Sequence, residues 1–324
     1  MALDKIAKEY SMNFLEFSIK VLKETNRPLT HIEIWEIGKE KGYDVQVSSK
    51  GKTPWQTIAA RIYVDLRDNP KSPFIKLKLR PTKFFLKELM SKDLEKLILS
   101  GEENSTLTDK KELKFSEKEL HKYLSYYLYN YHFIYSKTIF HQNSNKKSFA
   151  QWIHPDLVGV YFPITDWENE VIDIAKDVGS LGIKLFSYEL KIELNFGNLR
   201  ESFFQAVSNS SWAHEGYLVV SNYDRDEEFS EEYKRLSNSF GIGLIHLDID
   251  DPDSSRIIFQ AKTKDFIDID TVNKIAKINP DFKKFLKRVK TDFTSKEIRK
   301  EEYDKIEVIE NLENKKGLGK TNHP

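Results

Sequence analysis

The second half of residues 183–194 alternates apolar and charged side chains, which is the pattern of a β-strand with one buried face. In a strand, side chains two residues apart share a face, so Glu189 and Lys191 point the same way. Leu190 and Ile192 point the other way, into a core. The alternation therefore predicts a sheet and places a carboxylate beside an ammonium group on one of its faces.

A second carboxylate from a neighbouring strand would complete a site for a divalent metal and an attacking water. Asp156, in the run His-Pro-Asp, precedes the apolar stretch 157–162 and is the predicted partner. The gap of thirty-three residues to Glu189 is long, so Asp166 and Asp173 remain alternatives. An acidic residue two positions before a Lys occurs six times in the chain, and the other five lie in polar linkers or on predicted helices.

Composition narrows the class of protein. A length of 324 residues suggests two domains. The chain has no Cys, which excludes disulfides and thiolate zinc sites, and its eight His show no zinc-ligand spacing. No N-terminal apolar run resembles a signal peptide, and no stretch approaches the roughly twenty apolar residues of a membrane span. We expect a cytoplasmic protein without a membrane segment.

The net charge of +0 hides an asymmetry between the two ends of the chain. Residues 1–90 contain seventeen Lys and Arg against eleven Asp and Glu, a net charge of +6. Within residues 41–87 the count is eleven basic against three acidic residues. Such a basic concentration is typical of binding to a phosphate backbone, although a Lys-rich solvated surface would give the same count.

Residues 1–90 have the element order of a winged helix-turn-helix. A first helix ends near Asn26, a second begins at the capping box Thr30 to Glu33, and a third begins at Thr53-Pro54. Residues 74–79 then alternate with period two, turn, and return as residues 83–86. Residues 100–106 are polar and aperiodic, which predicts a linker at residues 91–114.

The rest of the chain predicts a mixed α/β domain over residues 115–294. A helix from Ser116 precedes strands around residues 138–140, 156–162 and 183–194. A helix capped by Asn198, a strand at 217–220, a helix near 227–238 and a strand at 242–247 follow. Residues 295–324 predict a charged helix that runs into a loose tail.

Residues 11–88 resemble the HARE-type winged helix-turn-helix, a domain often fused to restriction endonucleases. The resemblance rests on Arg27-Pro28-Leu29, Gly51-Lys52-Thr53-Pro54, residues 62–65 and Phe84-Phe85-Leu86. It implies binding to double-stranded DNA, with base modification as a conjecture. The expected contacts are Lys52 and, on an exposed face of the third helix and along the wing, Gln56, Arg61, Arg67, Lys76, Lys78, Arg80 and Lys83.

The second domain resembles the PD-(D/E)XK nuclease superfamily through Asp156, Glu189 and Lys191 on successive strands. The blocks 152–156 and 203–213 are more narrowly similar to HrgA-like, restriction-associated bacterial proteins. The resemblance implies a restriction endonuclease-like mixed sheet flanked by helices, with Mg²⁺, or Mn²⁺ as a substitute, held by Asp156 and Glu189. Lys191 would orient the attacking water or stabilise charge on the scissile phosphate.

Five further side chains have two interpretations. Glu119 is either the extra carboxylate that this superfamily often places on its first helix or the acidic member of a capping box with Ser116. Gln205 either faces the site or satisfies backbone groups. Glu193, His154 and His141 could assist, but ordinary structural roles are more common.

The predicted function is a Mg²⁺-dependent DNA endonuclease of restriction type in phage defence. A homodimer is expected, because cutting both strands needs two sites. The alternative is a non-catalytic DNA-binding regulator that keeps the nuclease-like fold as a scaffold. An RNA or repair nuclease would differ only in substrate.

Overall fold

The computed structural model describes residues 12–47, 54–77, 81–90, 116–140, 142, 154–165, 167–177, 182–308 and 311–312. The chain divides into two compact units: residues 1–114 together with 309–324, and residues 115–308. No helix in the described ranges is both long and apolar enough to cross a bilayer.

Residues 12–90, where the structure describes them, form three helices and a hairpin, as predicted. The elements are α1 (Phe14–Thr25), α2 (His31–Glu40), α3 (Pro54–Asp68), β1 (Phe74–Leu77) and β2 (Lys83–Leu86). Strands β1 and β2 pair antiparallel. The predicted capping box that starts α2 is confirmed, because Thr30 and Glu33 each accept a hydrogen bond from the other's backbone N–H.

Apolar side chains from all three helices and both strands form one core in this unit. An isolated bridge between Leu29 and Phe84 ties the entry of α2 to strand β2. Gly38 on α2 permits the close approach of α1, because a Cβ atom there would lie 2.0 Å from the ring of Phe17. The packing of α1 on α2 therefore depends on a residue without a side chain.

The described residues of the second unit form a six-stranded mixed sheet of order β3-β4-β5-β6-β7-β8. Pairs β5–β6 and β6–β7 are parallel, and the other neighbouring pairs are antiparallel. The strands are β3 (Ile134–Thr138), β4 (Leu157–Tyr161), β5 (Lys184–Leu194), β6 (Glu215–Tyr223), β7 (Gly243–His246) and β8 (Arg256–Phe259).

Helices flank this sheet, and their bounds are α4 (Glu117–His132), α5 (Asn169–Asp177), α6 (Leu199–Asn209), α7 (Glu227–Phe240), α8 (Ile269–Ile278) and α9 (Pro280–Ser295). One core packs α8 and α9 against β3 and β4. A second core packs α6 and α7 against β5, β6 and β7. Because packing covers both faces of the central strand, residues 185–190 of β5 are all buried.

Several sequence-based boundaries were wrong. The strand expected at residues 138–140 lies earlier, at Ile134–Thr138, and the insertion 163–182 contains helix α5, which buries Ile172. Strand β8 was not predicted. Asn198 makes no side-chain cap bond to α6. Its amide instead donates to the carbonyl of Glu193 and accepts from the backbone of Asn195, which closes the turn after β5.

The charged helix predicted from residue 295 onward is not observed over residues 296–308, where the single helical turn is Lys300–Glu302. This segment runs beside β3 instead. The backbone N–H of Asp304 donates to the carbonyl of Ser136, and the Asp304 carboxylate accepts from the backbone N–H of Thr138 at 2.6 Å. Tyr303 is buried and donates to Asp292. Tertiary contacts therefore override the local helical composition.

Candidate active site and DNA-binding surface

The register of β4 and β5 brings Asp156 to the residues of the Glu-x-Lys pattern. Leu157 pairs with Tyr188, so Asp156, one residue earlier, lies beside Glu189 and Leu190. Asp156 Oδ2 accepts a hydrogen bond from the backbone N–H of Leu190 at 2.8 Å. Pairing of the two strands thus closes the gap of thirty-three residues that the sequence left open.

Glu189 and Lys191 form a direct ion pair. Lys191 Nζ donates to Glu189 Oε1 at 2.9 Å, which confirms that the two side chains share a face of β5. Glu189 is 2% exposed, whereas Lys191 is only partly buried. The other oxygen of the Glu189 carboxylate, Oε2, accepts from Asn209 Nδ2 at 2.7 Å. Glu189 is therefore fixed from both sides, by its own strand and by the last residue of α6.

The pKa of Glu189 is strongly shifted by its surroundings. Burial and, after it, the negative charge of Asp156 raise the pKa of Glu189 to about 7, although Lys191 and Asn209 act in the opposite direction. Burial acts to lower the pKa of Lys191, but Glu189 and, more weakly, Glu117 and Asp156 hold it above its ordinary value. Two neighbouring carboxylates with incomplete compensation are a suitable place for a cation.

The number of acidic ligands is small. Among the described residues, no group of three or more His, Asp and Glu side chains lies close enough together to hold a metal ion. Among the described residues, Asp156 and Glu189 are thus the pair of carboxylates placed to share a cation. That set fits Mg²⁺, which keeps several of its own waters and binds through one or two carboxylates.

We call Asp156, Glu189 and Lys191 the candidate catalytic set. The glutamate of helix α4 that approaches this set is not Glu119, which the sequence had suggested. Glu119 Oε2 accepts from both the backbone N–H and the hydroxyl of Ser116, at 2.8 and 3.0 Å, so it serves the capping box. Glu117 Oε1, in contrast, lies 4.0 Å from Lys191 Nζ. The residue on the first helix that approaches the candidate catalytic set is therefore Glu117.

The remaining predicted residues are not brought together with this set. The side chain of Gln205 is exposed, one turn before Asn209 on α6. Asp173 pairs with Lys296 at 3.2 Å, Glu193 is exposed and His154 is buried. Asp166 and His141 lie outside the described residues. Asn209 and Glu117 were missed because neither stands in a recognisable motif; the four-residue helical spacing from Gln205 to Asn209 was the available signal.

In the first unit, helix α3 exposes two of the three side chains that were expected to contact DNA. Arg61 and Arg67 are exposed, but the Arg67 guanidinium makes two hydrogen bonds of 2.6 Å to Asp68. The expectation that Gln56 lies on an exposed face is wrong. Gln56 lies in the first turn of α3 and is only 8% exposed.

The hairpin of β1 and β2 is the wing of this fold, and the structure describes two of its lysines. Lys76 Nζ lies 5.4 Å from the centre of the Tyr63 ring, and Lys83 Nζ lies 3.8 Å from Glu33 Oε2. Both side chains are partly exposed. Lys52, Lys78 and Arg80 lie outside the described residues, so their predicted contacts with DNA stay predictions.

Three helices followed by an antiparallel hairpin, with arginines on the third helix, define a winged helix-turn-helix of the DNA-binding class. Residues 12–89 match the model of the HARE-HTH family, a helix-turn-helix domain whose description names ASXL and restriction endonucleases. The match indicates DNA binding by this part of the chain. A search of curated proteins and a search of solved structures each returned no match.

Proposed function

We propose that the protein is a Mg²⁺-dependent DNA endonuclease of the PD-(D/E)XK type, guided to DNA by its winged helix-turn-helix. The observation that carries the proposal is the convergence of Asp156, Glu189 and Lys191 from two paired strands. These residues are separated in the chain, and a purely structural role needs no such arrangement of two carboxylates and an ammonium group around a buried position.

The donor set fits a hard divalent cation. The charge of Asp156 contributes to the raised pKa of Glu189, and a cation between the two carboxylates would relieve this repulsion. Asp156 and Glu189 would hold Mg²⁺ or Mn²⁺, which when bound lowers the pKa of a coordinated water and offsets charge on the phosphate. Asn209 keeps the Glu189 carboxylate in one orientation through its 2.7 Å hydrogen bond.

Lys191 is the cationic group of the mechanism. The neighbouring carboxylates hold its pKa above the ordinary value, so it carries a full positive charge at neutral pH. Its side chain is 20% exposed, and this partial burial strengthens its attraction for a phosphate oxygen relative to bulk water. It would orient the attacking water or stabilise the negative charge that grows on the scissile phosphate. Glu117, 4.0 Å away, would help to fix the ammonium group.

In this proposal, the first unit supplies most of the affinity for DNA. Residues 41–87 are strongly basic, and a winged helix-turn-helix places its third helix in the major groove. Cleavage of both strands requires two catalytic sets, which favours a homodimer. The resulting activity suits restriction of foreign DNA, including DNA with modified bases.

A non-catalytic DNA-binding regulator is the second candidate. The observation in its favour is the 2.9 Å ion pair between Glu189 and Lys191, which neutralises both side chains without a metal. In that case the sheet would act as a scaffold, and removal of Mg²⁺ would leave every activity of the protein unchanged.

Plasmid cleavage separates the two functions. The full-length protein is incubated with supercoiled plasmid in Mg²⁺, in Mn²⁺ and in EDTA, using DNA with unmodified, methylated and hydroxymethylated cytosine. The nuclease proposal predicts nicked or linear products with metal and none with EDTA. DNA binding without cleavage of any of these plasmids would favour the regulator.

A further inference from the structure

A cavity of about 390 Å³ lies in the second unit, at the far end of α4 from the candidate catalytic set. Its lining includes the last turn of α4 and the first residues of β5 and β6. Glu117 approaches Lys191 at one end of the helix, and His132 lines the cavity fifteen residues later, which corresponds to about 22 Å along the axis. The cavity is therefore a separate place on the same domain.

Two buried polar atoms on lining residues lack a hydrogen-bond partner among the described residues. They are the hydroxyl of Tyr188, a side chain that is 0% exposed, and Nε2 of His132. A buried polar atom without a partner has lost its hydrogen bonds to water and regained none, so native structures seldom retain one without a use. Burial lowers the pKa of His132, which keeps the ring neutral. Both atoms can then either donate or accept a hydrogen bond.

Glu215 adds a fixed acceptor to the lining. Its side chain is buried, and its two oxygens accept from the hydroxyls of Thr263 at 2.6 Å and Tyr217 at 2.9 Å. Lys184 Nζ lies 3.5 Å from the same carboxylate, while 46% of the Lys184 side chain is exposed to solvent. The lining thus has one negative and one positive charge, with the ammonium group reaching water.

Aromatic rings form the apolar part of the lining. The rings of Phe186 and Tyr188 stack with their centres 6.2 Å apart, and those of Tyr188 and Tyr217 stack at 5.8 Å. All three residues line the cavity, together with Leu128 and Ile245. The volume is within the range of small-molecule sites, which combine an apolar wall with a few convergent polar groups.

We propose that this cavity binds a nucleotide with an amino-bearing base, adenine or cytosine. A carboxylate such as Glu215 accepts from an exocyclic amino group, and the Tyr188 hydroxyl and His132 Nε2 can pair with ring nitrogens. The aromatic wall accommodates the planar heterocycle. Lys184 is available for the phosphate. The nucleotide is either free in solution or extruded from a DNA duplex, since both present the same chemistry.

Calorimetric titration of the full-length protein in EDTA tests recognition of the free nucleotide. AMP, CMP, UMP and ribose 5-phosphate are the probes. AMP or CMP should bind at least about tenfold more tightly than UMP, which sets a carbonyl oxygen against the Glu215 carboxylate, and than ribose 5-phosphate, which has no base. Tyr188→Phe and Glu215→Gln should each weaken that binding at least about fivefold. Tyr233→Phe is the control. It removes a buried hydroxyl that donates to the carbonyl of Gly243 outside the cavity, and it should leave nucleotide affinity unchanged.

A duplex with 2-aminopurine next to a target adenine tests the extruded nucleotide, because the probe brightens when its stacked neighbour leaves. Its fluorescence should rise on binding to the wild type and to Tyr233→Phe, and stay low with Tyr188→Phe, if the adenine leaves the stack for this cavity. If free AMP or CMP binds and the fluorescence of the duplex does not rise, the ligand is the free nucleotide. The proposal is overturned if neither arm responds, if ribose 5-phosphate binds as well as AMP, or if both cavity variants behave like the wild type. Cleavage is not scored, so this outcome is independent of the nuclease proposal.

Discussion

Asn209 donates a 2.7 Å hydrogen bond from its side-chain amide to Glu189 Oε2, so the end of α6 fixes the carboxylate of the neighbouring strand. The backbone carbonyl of Asn209 accepts in turn from Ser187 and Trp212, each at 2.8 Å. Because these contacts hold the residue rigidly, Glu189 has one available orientation. The protein itself therefore holds the Glu189 carboxylate in place.

Replacement of Asn209 tests this orientation. Asn209→Ala should raise the Mg²⁺ concentration required for half-maximal cleavage by about 10- to 100-fold, the usual cost of losing a group that orients a metal ligand. Gln205→Ala, on the exposed side of the same helix, is the matched control and should leave it unchanged. A larger effect at Gln205 than at Asn209 would contradict the assignment.

The two arginines on α3 should differ in their effect on DNA affinity. Arg61 is exposed, whereas Arg67 already makes two hydrogen bonds to Asp68. Arg61→Ala should weaken duplex binding by about 1–3 kcal/mol if it reads a base, or reduce the salt dependence by about one unit if it contacts phosphate. Fluorescence anisotropy at several salt concentrations measures both. An equal or larger loss in Arg67→Ala would show that α3 docks on another face.

Gly38→Ala should destabilise the DNA-binding unit. The new methyl group would lie 2.0 Å from the buried ring of Phe17, and overpacking of this kind costs about 1–3 kcal/mol. Hydrogen exchange of the α1 and α2 amides reports on this unit specifically. Lys39→Ala, at an exposed neighbouring position, should change the protection by less than about 0.5 kcal/mol. Unchanged protection in Gly38→Ala would mean that the two helices pack less closely than described.

His246 should contribute to acid sensitivity of the second unit. Burial lowers its pKa in the folded state below the ordinary value of 6.5. The unfolded state therefore binds the proton more tightly, so this contribution to stability is complete above pH 6.5 and is lost as the pH falls through the folded pKa. Urea unfolding at about pH 7.5 and about pH 5 measures the change in the free energy of unfolding.

The His246→Gln variant is the control for this prediction, because a glutamine side chain does not bind a proton as the pH falls. The variant should lose less stability on acidification than the wild type. The raised pKa of Glu189 acts in the opposite direction in both proteins and cancels in the difference. Identical losses in the two proteins would exclude His246 as a source of acid sensitivity.

The sequence predicted those features that local physics controls. The capping box at Thr30, the hairpin beginning at Phe74 and the shared face of Glu189 and Lys191 depend on neighbours within a short stretch of chain. Each is a matter of backbone period or of hydrogen bonds within one turn. These patterns were sufficient to define the winged helix and the central strand.

Features that depend on distant contacts were predicted less well. The sequence favoured Asp156 over Asp166 and Asp173, but only the β4–β5 register shows that Asp156 lies beside Leu190. The amphipathic spacing on α3 did not reveal that Gln56 is buried. Residues after 295 are charged like a surface helix, yet Tyr303 is buried against Asp292 and the segment becomes irregular. In each case, tertiary packing decided between local alternatives.

Single-turnover cleavage by Glu189→Gln and Glu193→Gln tests the central claim most directly. Both substitutions neutralise a carboxylate on the same strand, but Glu189 contacts Lys191 and Asn209 whereas Glu193 is exposed. The account predicts that Glu189→Gln lowers the Mg²⁺-dependent rate by at least about 1000-fold with DNA affinity retained, and that Glu193→Gln cleaves like the wild type. Equal rates for the two variants, or loss of DNA binding in Glu189→Gln alone, would contradict a catalytic role for this site.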